Sequence, residues 1–151
     1  MRSRFLGVLM ASALVSVVAA AQPAAERALA IPVQDAGLQW GPCPAFLPKG
    51  CEIAVLHGDP AKPNADVFFR VPGKAVIPGH WHTSAERMVL VAGEMQVTYA
   101  GQKPSTLRPG TYAYGPAKLE HHATCSSASP CTLFIAFEGP VDAHPSGAGP
   151  K

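Results

Sequence analysis

The residues of this chain best suited to chemistry are His80, His82, Glu86 and His121. His80 and His82 flank Trp81, and in a β-strand alternate side chains share a face at roughly 7 Å spacing, so both imidazoles can close on one ion. Glu86 follows after three residues and adds a carboxylate, and His121 ends the run Gly110, five residues, Pro116, four residues, His121. Taken alone, a His-x-His pair in a strand reads as two surface histidines. The full pattern, closed by Gly93 with six residues between it and Glu86, reads as a metal site. Three neutral nitrogens and one carboxylate suit one divalent transition metal ion, iron, manganese, zinc, nickel or copper, rather than calcium or magnesium, which prefer all-oxygen sites.

These residues resemble the two sequence motifs of the cupin family. Pro78 to Glu86 with Gly93 is similar to the first motif, and Gly110 to His121 is similar to the second. The resemblance implies that the two histidines, the glutamate and the later histidine are the metal ligands. A wider likeness, from about residue 50 to 142, adds His57-Gly58-Asp59-Pro60-Ala61-Lys62-Pro63 and Gly139-Pro140. It resembles small exported single-domain cupins and the cupin-like half of certain anti-sigma factors. Two positions depart from the pattern: Lys118 stands where the second motif usually has Gly, and Gly73 lies one residue further from the histidines than usual. Both concern turn shape rather than ligands.

The elements that must position these side chains read as short strands. Glu52 to Leu56, Val67 to Val71, Met88 to Val91, Met95 to Tyr99, Thr111 to Tyr114, His122 to Cys125 and Leu133 to Phe137 are rich in β-branched and aromatic residues. Gly, Pro, Asn and Ser punctuate them. With no helix-period segment of ten or more residues in this region, the expected class is all-β, a sandwich or barrel. The cupin likeness narrows this to a double-stranded β-helix, or jelly roll, and implies pairing with a second copy as a homodimer.

Residues 1–21 combine Arg2 and Arg4, an apolar run from Phe5 to Val18 and an Ala19-Ala20-Ala21 exit, the form of a secretory signal peptide. The expected organisation is therefore a signal at 1–21, a Pro/Ala-rich arm at 22–49 with a helical turn near residues 24–30, a cupin domain at 50–142 and a disordered tail at 143–151. Of 12 Lys and Arg, removal of Arg2 and Arg4 leaves 10 against 10 Asp and Glu. A mature chain of zero net charge does not point to nucleic acid. No further stretch is long and apolar enough to span a bilayer, so the mature chain is expected in the periplasm or secreted and not embedded in a membrane. In such an oxidising compartment the four cysteines favour two local disulfides, Cys43 with Cys51 and Cys125 with Cys131. A zinc site is the weaker reading, because neither pair has the short gap of a zinc knuckle.

Other residues take less specific roles. His57 reads as a turn residue, His144 as solvated, Glu94 as the exposed start of a strand and Trp81 as packing on the face away from the metal. Strand alternation sends His122 away from the face of His121, whereas Cys125 shares that face. Met88, Leu90, Tyr112 and Tyr114 are the expected cavity wall, and an apolar wall favours a small, partly hydrophobic ligand or substrate. Two functions follow: a metal-dependent enzyme, for which the cupin likeness implies a dioxygenase, or a non-catalytic module that binds or senses a metal or small molecule in the cell envelope.

Overall fold

The structure, a computed structural model, describes residues 26–147, and the expected signal peptide lies outside them. Every strand among the described residues belongs to the unit that begins at Ile31. Residues 26–30 carry no helical turn, and no helix occurs among the described residues.

Eleven strands follow in order: β1 (Trp40–Pro42), β2 (Glu52–His57), β3 (Ala65–Val71), β4 (Val76–Trp81), β5 (Glu86–Ala92), β6 (Met95–Tyr99), β7 (Ser105–Leu107), β8 (Tyr112–Gly115), β9 (His121–Cys125), β10 (Cys131–Phe137) and β11 (His144–Pro145). They form a six-stranded sheet ordered β1-β2-β3-β10-β5-β8 and a five-stranded sheet ordered β11-β4-β9-β6-β7. All pairings are antiparallel.

The alternation that suggested strands also decides which side chains face inward. Met95, Val97 and Tyr99 of β6 are buried while Gln96 is exposed, and in β9 His121, Ala123 and Cys125 are buried while His122 is exposed. Inward residues of both sheets form one core that includes Val67, Val71, Ile77, Leu90, Leu133 and Ile135. Full burial of each such aliphatic side chain contributes about 1.5–3 kcal/mol.

The arm and the tail correct the sequence reading. Trp40–Pro42 pairs with β2 as an edge strand, and His144–Pro145 pairs with the end of β4, where the tail was expected to be disordered. Neither segment has the length or apolar alternation that marks a strand in sequence. Backbone pairing to an existing edge supplies what the side chains do not.

Both expected disulfides are present, Cys43–Cys51 and Cys125–Cys131. Gly93, between β5 and β6, has φ +81°, and a Cβ there would fall 2.8 Å from both Cys131 Sγ and the Pro130 carbonyl. Only glycine combines that conformation with so close an approach.

Candidate metal centre

The two sheets meet at a row of polar residues in an otherwise apolar interior. In the five-stranded sheet His121 of β9 pairs with His80 of β4 on one side and with Tyr99 of β6 on the other. In the six-stranded sheet Glu86 of β5 lies between Phe137 of β10 and Gly115 of β8. His82 follows one residue beyond the end of β4. His80, His82, Glu86 and His121 are all buried.

One ring nitrogen from each of His80, His82 and His121 can be chosen so that all three lie within 4.8 Å of one another. Glu86 reaches two of them, with its oxygens 3.5 Å from His82 Nε2 and from His121 Nε2. The opposite nitrogens are committed to backbone. His80 Nδ1 is 2.8 Å from the Pro78 carbonyl, His121 Nδ1 is 3.2 Å from the Leu119 carbonyl, and His82 Nδ1 contacts the Asp142 carbonyl. A carbonyl only accepts, so each Nδ1 must carry a proton, and in the neutral form of each ring Nε2 keeps the lone pair. This is the arrangement that fixes the tautomer of metal-binding imidazoles. The Pro78 carbonyl is available because the β4–β9 ladder is irregular between Ile77 and His80.

Burial, with the neighbouring His82 adding to it, pushes His80 from 6.5 down to about 4, against the opposing Pro78 hydrogen bond. Burial also pushes His121 down, to about 3, with His80 next in effect. Burial raises the Glu86 carboxyl despite the favourable effect of His82. Two imidazoles that burial keeps from protonating, with His82 and the buried Glu86 carboxyl group beside them, form a donor set that a divalent cation completes. The residues present therefore fit a transition metal.

A cavity of about 290 Å³ adjoins these residues. Its wall includes Ile53, Phe69, Met88, Val97, Leu133 and Ile135, with Cys43, Pro44 and Leu47 from the segment after β1 and Val141, Asp142 and Ala143 from the segment after β10. Of the expected wall residues, Met88 lines it, whereas Leu90 is fully buried in the core outside the lining. Tyr112 and Tyr114 are corrected outright: they are exposed. Register explains this, since Tyr112 and Tyr114 pair with Val89 and Arg87 on the outer face, and Ala113 pairs with inward Met88.

The other singled-out residues also find places. His122 is exposed, and the disulfide of Cys125 withholds a thiolate from the site. Glu94, expected as exposed, is half-buried, forms an ion pair with Arg108 at 3.1 Å and receives the Ser126 amide on its carbonyl. Trp81 stacks on His144 with ring centroids 4.2 Å apart, so His144 is not a free tail residue. Lys118 keeps the glycine-like turn with φ +62°, and its amide donates to the His82 carbonyl at 2.8 Å.

Two residues of the site were not singled out in sequence. Asp142 holds His82 through its carbonyl, and its carboxylate accepts from the Thr83 amide at 2.9 Å. Burial raises that carboxyl, but the Thr83 and His144 hydrogen bonds outweigh it and keep its pKa low. Tyr99 lines the cavity with its ring centroid 5.0 Å from that of His121, and burial, then Glu86, raises its pKa. Inward alternation from Met95 could have found Tyr99. No local signal could have found Asp142, sixty positions from His82.

A family model for the ChrR cupin-like domain matches residues 30–142. This chain belongs to the cupin family. The ChrR-like cupin match begins ahead of β1, in agreement with the pairing of Trp40–Pro42 into the sheet. No curated protein matches the chain by sequence. Among solved structures, the cupin fold is shared with the DMSP lyase DddQ from Ruegeria pomeroyi at 20% identity and TM-score 0.62, covering 76% of this chain and 64% of that one. The polyketide cyclase RemF from Streptomyces resistomycificus is similar at 16% identity and TM-score 0.63, covering 78% and 86%. An RmlC-like cupin from Shewanella frigidimarina matches at 19% identity and TM-score 0.56, covering 70% and 86%. The present cupin spans 62% and 64% of the lengths of the two DMSP lyase chains it matches. At these identities the likeness is one of fold.

Proposed function

We propose that this cupin holds one divalent transition metal through His80, His82, His121 and Glu86, and acts on a small, largely apolar molecule taken into the adjoining cavity. The observation that carries the reading is the convergence of three imidazoles, each with Nδ1 committed to a carbonyl, beside the buried Glu86. A bound metal with an open position would polarise a substrate oxygen or activate dioxygen, the latter giving a dioxygenase-like enzyme. The chain's own residues fix the imidazole tautomers, and the apolar wall excludes water and orients the ligand's body. Two disulfides accord with an exported protein cut after Ala21 and residing in the periplasm or outside the cell. No helix among the described residues is long and apolar enough to cross a membrane.

A second reading, a non-catalytic module that binds or senses a metal or small ligand in the cell envelope, draws on the match to the ChrR cupin-like domain. Elemental analysis of the exported, oxidised protein tests the shared premise. About one iron, manganese, zinc, nickel or copper per chain, lost in His82→Ala with the fold intact, is expected. Absence of metal after reconstitution refutes it. Oxygen uptake with phenolic and thiol compounds then separates the readings: turnover supports the enzyme, and tight binding without turnover supports the module.

A further inference from the structure

Among the described residues, one buried side-chain polar atom is left without a hydrogen-bond partner: the hydroxyl of Tyr99. Tyr99 is 8% exposed, and its side chain forms part of the cavity wall. A buried hydroxyl without a partner costs about 1–3 kcal/mol, so a position of this kind calls for an explanation. The backbone around it accommodates it closely. Gly115 lies where a Cβ would come 3.0 Å from the Tyr99 hydroxyl and 2.8 Å from Glu86 Oε1. The hydroxyl and the carboxylate thus share the space that this glycine leaves open, beside His121.

The rest of the wall is nearly without hydrogen-bonding groups. Ile53, Phe69, Ile77, Met95, Val97 and Ile135 offer none from their side chains. The three imidazoles have already committed their N–H groups to carbonyls, and Glu86 in its ionised form only accepts. Among the side chains that line the cavity, then, Tyr99 is the one with an uncommitted hydrogen-bond donor.

We infer that Tyr99 is a specificity-determining residue that donates its phenolic hydrogen to an oxygen acceptor of a guest bound beside the histidines, so that the site selects small apolar molecules bearing a carboxylate or carbonyl oxygen. The inference rests on the metal reading above and deepens it. The apolar wall would receive the body of the guest and Tyr99 an oxygen of it, next to where His80, His82, His121 and Glu86 would hold the metal. A guest that presents sulfur instead gains little from Tyr99, because sulfur is a weak acceptor.

The test uses the full mature chain loaded with cobalt(II), whose visible spectrum reports ligands entering the site. Benzoate and benzyl mercaptan are titrated into wild type and Tyr99→Phe, with the metal content of both measured. Equal cobalt content is expected. The variant should bind benzoate about five- to tenfold more weakly, the effect of one hydrogen bond, and benzyl mercaptan within about twofold of wild type. Unchanged benzoate affinity in Tyr99→Phe, equal weakening of both probes, or no response of wild type to benzoate overturns the inference while leaving the metal site standing. Loss of cobalt from Tyr99→Phe alone overturns it by making Tyr99 part of the metal's support. Failure of wild type to hold cobalt overturns the metal reading, and the inference with it.

Discussion

The metal-free protein should lose stability steeply between pH 8 and pH 5.5. His80 and His121 are held at about 4 and about 3, well below the ordinary 6.5, chiefly because they are buried. A group whose pKa is depressed by folding gives its full contribution above the unfolded value and loses it as pH falls toward the folded one, since the unfolded chain takes up the proton first. Between 6.5 and the folded values each histidine thus costs about 1.4 kcal/mol per pH unit, and at pH 5.5 the two together cost about 3 kcal/mol. Glu86 acts in the opposite sense, because a raised carboxyl pKa returns stability as pH falls through it. Before that offset, the histidine contribution of about 3 kcal/mol is a sizeable share of the 5–15 kcal/mol typical of a domain. Urea unfolding of chelator-treated, disulfide-intact protein, followed by Trp40 and Trp81 fluorescence, should show the midpoint falling by about 1–2 M from pH 8 to pH 5.5 at constant slope. His80→Asn should remove about half of that dependence. An unchanged midpoint would refute the assignment of buried, neutral imidazoles.

Gly115→Ala should displace the Glu86 carboxylate, since its Cβ would meet Glu86 Cγ and Oε1 at 2.8 Å, and should lower metal affinity about 10–100-fold in a competition titration. Lys118→Gly should raise stability by up to about 1 kcal/mol in the same urea assay, because φ +62° strains a residue with a Cβ and suits glycine.

Much of the architecture was legible because it follows from alternation. Met95 to Tyr99 was read to its end residues, and His121 and His122 were assigned to opposite faces correctly. The local cysteine pairs were legible because turn-rich linkers bring each pair within reach. Alternation failed where it had no reference. Period two says which residues of β8 share a face, but only the pairing of Ala113 with Met88 says which face is inside, and Tyr112 and Tyr114 were placed wrongly for that reason. The edge strands β1 and β11 were invisible because two or three residues carry no period and their stability comes from backbone pairing. Asp142 was invisible because its contribution to the site is a carbonyl, a group that every residue possesses.

The central place of β10 sets an order in time. β3 and β5 do not pair with each other; β10, made last of the three, fits between them. Glu86, on β5, is therefore synthesised before the strand that joins β5 to β3. The carbonyl that orients His82 comes later still, at Asp142. In the order of synthesis His80, His82, Glu86 and His121 are all complete before β10 and before that carbonyl. The surroundings of both Glu86 and His82 thus depend on residues 131–145, the last part of the sheet framework to be made.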